Sequence, residues 1–284
     1  MTERPRELTE PVALCDPEGR LNPEAVGWSR RPLHRCNLRG AWGRKKRWEY
    51  WCVTTEDLLL SVTYADLDYL GLATVLFHDL RTGRSAEKGV LIPGAVGFRL
   101  SETVSGQSVR FRFPGLALDL VEEPDGTRLS VRFRNLRGQR LAADVLVQRP
   151  TDHETLNVVV PWSGGRFQFT SKQNTLPAVG EVTLDGRRFA FGPHNQAFGC
   201  LDFGRGIWPT DTVWNWGSAS GVQGGRTERT VGLQLGGQWT DGTGQTENGL
   251  VVDGRLSKIH EDVRFAFDPV HPLRPWRIET KGSD

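Results

Sequence analysis

Hydrophobic and polar residues alternate with a period of two along most of the chain. The alternation is clearest in LLLSVTY (58–64), SVRFRF (108–113), LALDLV (116–121), RLSVRFR (128–134), RRFAF (187–191), TVGLQL (230–235) and VRFAF (263–267). Such a period places one side of a strand against a core and the other side against polar surroundings. Amphipathic helical patterns are short by comparison. We therefore predict an all-β fold with minor helix, with at least about one-third strand and less than about one-tenth helix.

Turn signals separate these segments at short intervals. Asp125-Gly126, Asp185-Gly186 and Asp253-Gly254 are dipeptides that favour two-residue hairpin turns. A hairpin joins neighbouring strands in opposite directions, so we expect the strands to be antiparallel.

The number of strands favours two structural units. Strands of ordinary length would give about sixteen to twenty of them, which is more than one small sandwich holds. We expect an extended N-terminal arm at 1–36, a first β-barrel at 37–162 and a second β-barrel at 166–280. The intervening Ser-Gly-Gly at 163–165 is predicted to be a flexible link between the barrels.

Composition and charge argue against several classes of protein. The 284 residues carry a net charge of +2, and their basic residues are scattered, so we expect no nucleic-acid partner. The basic run GRKKRW (43–48) is predicted to be a solvated turn. Mean hydropathy is −0.43, and no apolar run approaches the length of a bilayer. With no leader-like pattern at the N-terminus, we expect a cytoplasmic protein without a membrane span.

The reactive residue types form no familiar motif. Cys15, Cys36, Cys52 and Cys200 have irregular spacing, which is typical of reduced thiols rather than of disulfides or a zinc site. The histidines are isolated, and phosphate loops, nucleophile elbows and dinucleotide fingerprints are missing from the sequence. We therefore expect a site without metal or cofactor.

Tryptophan is concentrated in the glycine-rich segment RGIWPTDTVWNWGSASG (205–221). Trp214 and Trp216 flank one residue of an extended segment, so their side chains share a face, and Trp239 ends a neighbouring candidate strand. We predict that these three indoles form a ligand-binding platform, with core packing as the alternative. Trp208, which precedes a proline, is predicted to pack outside the cavity.

Several carboxylates accompany these tryptophans. Asp202, Asp211, Asp241 and Glu247 lie in the same part of the sequence. Burial against indole rings raises the pKa of a carboxyl group, which can then donate a proton near neutral pH. We predict Asp241 and Asp211 as catalytic acids at the mouth of the cavity. The alternative for Asp241, which precedes a glycine, is an ordinary turn.

Other polar residues are candidates for contacts with a ligand. Lys172 and Asn174 lie in SKQNTLP, His194 lies in GPHNQAFG, and Glu247 lies in QTENG. We predict all four as ligand-binding residues. The alternatives are backbone capping for Lys172, Asn174 and Glu247 and an exposed loop position for His194.

Four long strings give the chain a family resemblance. FTSKQNTLPAVGEVTLDGRRFAF, LDFGRGIWPTDTVWNWGSASG and LQLGGQWTDGTGQTENGLVVDGRLSKI, together with RWEYWCVTTEDLLLSVTYADLDYLG, resemble the uncharacterised bacterial family DUF2804 over residues 10 to 280. The layout is more distantly similar to the AttH and carotenoid 1,2-hydratase group. That resemblance implies tandem lipocalin-like β-barrels or curved sheets with a pocket for an apolar molecule.

The more distant resemblance also implies a chemistry. In the hydratase, an aspartate near a tryptophan is thought to protonate an alkene, and the spacing from Trp214 to Trp239 and Asp241 is similar to that arrangement. The family's histidine two positions before the tryptophan is replaced here by Thr212.

Three functional hypotheses are compatible with the sequence. The first is a protein that binds a small, largely apolar molecule and uses an aspartate for acid-assisted addition, isomerisation or cyclisation at an alkene. The second is a small-ligand binding protein without catalysis. The third is carbohydrate processing by a tryptophan platform and paired carboxylates. The sequence assigns no oligomeric state.

Overall fold

The computed structural model describes residues 5–224 and 227–280, and its regular structure is almost entirely β. Strands account for 56% of the structure and helices for 2%, which confirms the prediction of an all-β protein with minor helix. The strands are β1 (Val12–Ala13), β2 (Trp28–Ser29), β3 (His34–Arg35), β4 (Lys45–Thr54), β5 (Leu58–Asp66), β6 (Leu70–Asp79), β7 (Arg84–Pro93), β8 (Val109–Phe113), β9 (Leu116–Glu123), β10 (Gly126–Arg134), β11 (Arg140–Gln148), β12 (Leu156–Pro161), β13 (Phe167–Leu184), β14 (Arg187–Phe191), β15 (Phe198–Ile207), β16 (Asn215–Gln223), β17 (Arg229–Gly237), β18 (Asn248–Val252), β19 (Arg255–Ile259), β20 (Val263–Ala266) and β21 (Arg277–Thr280). Two short 3-10 helices span Pro23–Ala25 and Pro193–Asn195.

The main sheet has thirteen strands and curls into a nearly closed antiparallel barrel. Its strand order is β7-β6-β5-β4-β15-β13-β11-β10-β9-β8, while β12 and β14 also pair with β13, and β2 pairs with β12. At the free edge of β7, Asn135 Nδ2 donates to Glu87 O at 3.3 Å and Gln139 Nε2 donates to Ser85 O at 3.1 Å. These side chains from the β10–β11 loop satisfy backbone oxygens that the sheet leaves free.

Alternating side chains fill the inside of the barrel. Tyr64 stacks on Phe98 with ring centroids 4.5 Å apart, Phe98 lies 5.3 Å from Phe111, and Phe77 lies 4.8 Å from Phe189. All five rings belong to one continuous core of buried residues. The barrel interior is therefore a packed core that leaves no room for a ligand among these rings.

The sheet is continuous across the predicted boundary at residues 162–166, which differs from the expected division into two barrels. Those residues form the turn of a hairpin between β12 and β13, in which Pro161 pairs with Phe167. Strands β13 and β15 then lie between β4 and β11 in the main sheet. The physical reason is the length of β13, which has eighteen residues and an irregularity between Gln173 and Leu176. This one strand pairs with strands from both sides of the predicted boundary, so the sheet is not divided there.

The predicted N-terminal arm lies on the body of the protein. Within its described part, Leu14, Trp28 and His34 are buried. Arg30 also forms ion pairs with Glu7 and Glu154, both at 2.9 Å. Burial and ion pairing hold this segment in place although it has little regular structure.

The basic run at 43–48 is not a solvated turn, because its residues from Lys45 onward begin β4. Arg47 contacts Asp66 at 2.7 Å and Asp68 at 3.2 Å, and Lys45 contacts Asp68 at 3.4 Å. The acidic residues at the end of β5 neutralise this part of the run, which allows it to join the sheet.

Two of the three predicted hairpin turns form at the expected dipeptides. Asp185-Gly186 has φ values of 51° and 84°, and Asp253-Gly254 has values of 49° and 75°, as two-residue hairpin turns require. The third turn is shifted by one residue to Pro124-Asp125, with Glu123 paired to Gly126. Proline favours the first central position of a turn, which accounts for the shift.

A second sheet of four strands, in the order β16-β17-β18-β19, packs on the outer face of the barrel. Trp216 of β16 lies 5.9 Å from the ring of Tyr50 in β4, and Thr175 N of β13 donates to Ser220 Oγ of β16 at 3.0 Å. Strands β20 and β21 form a separate hairpin. No helix in the described ranges is long and apolar enough to cross a membrane.

Candidate functional site

A cavity of about 390 Å³ lies between the outer face of the barrel and the four-stranded sheet. Its wall combines indoles and aliphatic side chains with one small group of charged residues. The lining residues are Lys46, Trp48, Thr63, Ala65, Leu67, Leu72, Thr170, Lys172, Asp202, Trp208, Trp214, Trp216, Trp239 and Glu247.

Strand register places the charged and apolar parts of the wall in neighbouring rows. In one row, Lys172 of β13 lies opposite Asp202 of β15. In the next row on the same face, Gly204 of β15 lies opposite Trp48 of β4, which in turn lies opposite Ala65 of β5. A Cβ atom at Gly204 would overlap the Trp48 ring, so the glycine lets this indole lie against the sheet.

Indoles pack against one another along the cavity. The Trp162 ring lies 5.7 Å from Trp239 and 5.6 Å from Trp208, and Trp208 lies 5.5 Å from Trp48 and 6.0 Å from Trp214. All four contacts are edge-to-face, the arrangement that aromatic rings favour. The structure thus places Trp208 in the cavity wall rather than outside it, because its indole Nε1 donates to Gln168 Oε1 at 2.6 Å.

The charged group consists of one ammonium and two carboxylates. Lys172 Nζ lies 2.8 Å from Asp202 Oδ2 and 3.0 Å from Glu247 Oε2. The other oxygen of Glu247 accepts from Trp239 Nε1 at 2.7 Å, and Thr170 Oγ1 donates to Asp202 Oδ1 at 3.2 Å. The side chain of Glu247 is 1% exposed and that of Asp202 is 17% exposed. Glu247 is therefore the more deeply buried of the two carboxyl groups.

Burial raises the pKa of Glu247 above its ordinary value, although Lys172 acts in the opposite direction. One ammonium cannot neutralise two carboxylates in a medium of low dielectric constant, so the group favours an added proton. For Lys172, burial acts to lower the pKa, but Asp202 and Glu247 outweigh it and raise the pKa. The result is a charged lysine beside a glutamate whose pKa lies above its ordinary value.

A glycine makes room for Glu247 in the neighbouring strand. A Cβ atom at Gly236 of β17 would overlap the Glu247 carboxylate. The Gly236 amide also donates to Asn248 Oδ1 at 2.7 Å, which fixes the residue that follows Glu247. The carboxyl group is thus held by its neighbours on both sides.

The two predicted catalytic aspartates lie elsewhere. Asp241 is exposed, and its Oδ1 accepts from Gln238 N at 2.8 Å within a turn. This position fits the alternative of an ordinary turn residue. Asp211 is exposed in the loop before β16. Neither lines the cavity.

Five of the predicted ligand-binding residues meet at the cavity: Trp214, Trp216, Trp239, Lys172 and Glu247. Asn174 is buried beside Gly232 of β17, and its backbone oxygen contacts His153 Nε2 at 3.0 Å. His194 is exposed and borders a different depression. His194 thus fits the exposed-loop alternative, and Asn174 lies outside the cavity wall.

Sequence reasoning missed the part of the wall that β4 contributes. Lys46 and Trp48 lie two residues apart and face the cavity, but they belong to the run that was predicted to be a solvated turn. Their alternation with Tyr50 is the signal that could have placed them on one face of a strand. The sequence places Asp202 among the candidate acids, but its contact with Lys172 depends on strand register and cannot be predicted from it.

The described residues contain no group of three side chains suited to hold a metal ion. The four cysteines are free thiols, as their spacing predicts. Burial raises the pKa of the Cys15 thiol to about 11, which makes that thiol a poor nucleophile.

The family model for DUF2804, a domain of unknown function, matches residues 5–284. The chain belongs to this family. Among solved structures it is similar to kievitone hydratase from Nectria haematococca, with 12% identity, a TM-score of 0.45, and coverage of 84% of this chain and 74% of that one. It is also similar to CghA, solved with Sch210972, with 12% identity, a TM-score of 0.36, and coverage of 78% of this chain and 65% of that one. Among curated proteins the comparison found no significant match.

Proposed function

We propose that this DUF2804 protein binds a small, largely apolar molecule in the cavity between the barrel and the four-stranded sheet. The observation that carries the proposal is a space of about 390 Å³ walled by Trp48, Trp208, Trp214, Trp216 and Trp239. This volume falls within the range of pockets that hold small organic ligands. Flat indole faces favour an aromatic or unsaturated ligand over a flexible saturated chain.

The charged group gives the cavity a reactive end. Burial raises the pKa of Glu247, which favours its protonated form, and the carboxyl group lies where the indole of Trp216 and the ammonium of Lys172 meet, 5.0 Å apart. We infer that Glu247 protonates an alkene of the bound molecule. The carbocation that forms is stabilised by the neighbouring indole faces and is consumed by water, by loss of a proton or by ring closure.

The carbohydrate hypothesis is less well supported by this geometry. Glycoside hydrolysis needs two carboxyl groups with the sugar bond between them. Here the two carboxyl groups share the ammonium of Lys172, at 2.8 Å and 3.0 Å, so a lysine occupies the space where the sugar bond would lie.

Ligand binding can be tested with N-phenyl-1-naphthylamine, a neutral apolar fluorophore that accepts energy from indoles. We expect saturable binding by the wild-type protein and at least about tenfold weaker binding by Trp216→Ala, since one cavity face is lost. Trp276→Ala is the matched control, because Trp276 stacks on Phe267 in the C-terminal hairpin. Equal affinity of the two variants would place the probe outside the cavity.

Catalysis needs a separate experiment, since non-catalytic binding would use the same cavity. Apolar material extracted from natively purified protein is returned to the protein in heavy water, and its mass is followed. Wild-type protein should add one deuterium on isomerisation or cyclisation, or the elements of heavy water on hydration. Glu247→Gln should lower the rate by about a hundredfold or more while keeping its affinity for the fluorophore. A variant that reacts at the wild-type rate would show that Glu247 is not the acid.

A further inference from the structure

Three loops meet at one end of the cavity, and we call them the mouth loops: residues 39–44, 67–69 and 208–214. Lys46 and Trp214 border the cavity at this end, whereas Lys172 lies two same-face rows deeper in the sheet, with the Glu247 carboxylate 3.0 Å from its Nζ. The mouth loops therefore surround the opening through which a ligand reaches the charged group.

Hydrogen bonds tie the mouth loops together. Trp208 N donates to Arg44 O at 2.9 Å, and the Arg44 guanidinium donates to Thr210 Oγ1 at 2.7 Å. Gly43 N donates to Asp68 Oδ2 at 2.8 Å. These contacts join all three loops into one surface rather than three independent tips.

Each mouth loop exposes a large apolar side chain. Trp42 is 76% exposed, Tyr69 is 49% exposed, Val213 is 65% exposed and Trp214 is 57% exposed. Val96, in a loop whose Gly94 N donates to Tyr69 O at 2.7 Å, is 76% exposed and extends the same surface. A cluster of exposed apolar residues from separate loops is characteristic of an interaction surface.

Basic residues accompany these apolar side chains. Among the described residues, Arg39, Arg44 and Lys46 form no ion pair, and Lys46 Nζ lies 4.2 Å from the centre of the Tyr69 ring. Lys45 and Arg47 are neutralised by Asp66 and Asp68, and Asp211 is a further acidic residue of the mouth loops. The surface therefore has an excess of positive charge.

We propose that the mouth loops dock reversibly on an anionic lipid bilayer, with Trp42, Tyr69 and Trp214 at the headgroup level and Arg39, Arg44 and Lys46 against lipid phosphates. Tryptophan and tyrosine favour the interface of a bilayer, and cations near its surface are attracted by anionic lipids. Neither contribution alone anchors a protein firmly, so the association is reversible. Docking places the opening of the cavity against the phase in which an apolar molecule dissolves.

The chemistry of the surface favours a bilayer over a protein partner. Its apolar residues lie on loop tips with lysine and arginine around them, and long basic side chains can keep their charge at the headgroups while their stems lie along apolar surface. The core of a protein interface, by comparison, is depleted of lysine.

Vesicle flotation tests the proposal with the full chain and without added ligand. We expect binding to vesicles of phosphatidylcholine with phosphatidylglycerol, and much less to phosphatidylcholine alone or at about 1 M salt, where charges are screened. Arg39→Gln/Arg44→Gln should weaken binding by roughly tenfold or more, since each cation contributes about fivefold. Trp42→Ala/Tyr69→Ala should weaken it to a similar extent, and neither pair touches the charged group in the cavity.

The loop between β10 and β11 supplies matched controls. Leu136 is fully exposed there, beside the exposed Arg134 and Arg137. Leu136→Ala and Arg134→Gln/Arg137→Gln therefore remove the same kinds of side chain, apolar and basic, from a surface outside the mouth loops. These variants should bind vesicles within about twofold of the wild type. Equal losses in the mouth-loop and control variants would overturn the proposal.

Two other outcomes would also overturn it. If the protein floats with neither type of vesicle, the surface does not dock on lipid. If it dimerises instead and Trp42→Ala/Tyr69→Ala abolishes the dimer, the mouth loops bind a second copy of the chain. Binding of N-phenyl-1-naphthylamine by the same preparations distinguishes these failures from a failure of the cavity, because the fluorophore needs no vesicle.

Discussion

Replacing Lys172 with methionine removes the ammonium that contacts two carboxyl groups and leaves the side-chain length nearly unchanged. In the wild type the contacts are 2.8 Å to Asp202 and 3.0 Å to Glu247, and the Lys172 side chain is 4% exposed. Removing one partner of a buried ion pair costs about 3–5 kcal/mol, because the remaining charge is left without compensation. We expect Lys172→Met to lose free energy of unfolding of this size at pH 8.

The loss should depend on pH because Glu247 can take up a proton. Its pKa is already raised in the folded protein, and removal of Lys172 raises it further. A carboxyl group with a raised folded pKa binds more protons in the folded state, so its stabilising effect is present at low pH and is lost as pH rises through that pKa. The loss of stability caused by Lys172→Met should therefore be smaller at pH 5 than at pH 8. Each unit by which the pKa of Glu247 is higher in the variant than in the wild type corresponds to about 1.4 kcal/mol of this difference.

Urea denaturation at pH 5 and pH 8 measures both quantities. The double variant Lys172→Met/Glu247→Gln should recover most of the loss at pH 8, since the amide is neutral and its oxygen still accepts from Trp239. Lys88→Met, at a half-buried position of β7, is the matched control and should change stability by less than about 0.5 kcal/mol. The same loss at both pH values, or a double variant as unstable as the single one, would refute this account of the charged group.

Three further predictions concern neighbouring residues. Gly236→Ala should lower the free energy of unfolding by about 1–3 kcal/mol in the same urea assay, because its methyl group displaces the Glu247 carboxylate; an unchanged midpoint would contradict the close approach. Burial lowers the pKa of Lys258 to about 7, so the folded protein releases a proton that the unfolded chain keeps up to about pH 10.5. Wild-type stability should therefore rise by about 2 kcal/mol from pH 7 to pH 9 relative to Lys258→Met, and parallel pH curves for the two proteins would disprove this. Asp241→Asn should leave affinity for N-phenyl-1-naphthylamine within about twofold of the wild type, since Asp241 belongs to an exposed turn; a large loss would return it to the site.

The strand pattern of the sequence predicts the fold class because alternation is a local property. The dipeptides Asp185-Gly186 and Asp253-Gly254 form turns where local φ preferences place them. The continuity of the sheet could not be predicted in the same way. It depends on β13 pairing with both β11 and β15, and these contacts join residues far apart in the sequence.

The candidate site shows the same limit. Alternation places Trp214 and Trp216 on one face, and both line the cavity in the structure. Local sequence could not show which carboxyl group lies in the cavity, since Asp241 and Glu247 both lie near Trp239. Only the pairing of β13 with β15 and the packing of the second sheet bring Lys172 to Glu247, while Asp241 remains in its turn.

The central claim is that a small apolar molecule occupies the indole-lined cavity, and a cavity-filling variant tests it most directly. Ala65 is buried in the cavity wall, whereas Ala142 is exposed on β11, so Ala65→Phe fills the cavity and Ala142→Phe is its control. Mass spectrometry of organic extracts from the natively purified proteins measures what each one carries. We predict one defined apolar compound in the wild type and in Ala142→Phe, and its loss from Ala65→Phe. Extracts of equal composition from all three proteins, or a wild-type extract without any such compound, would contradict the claim.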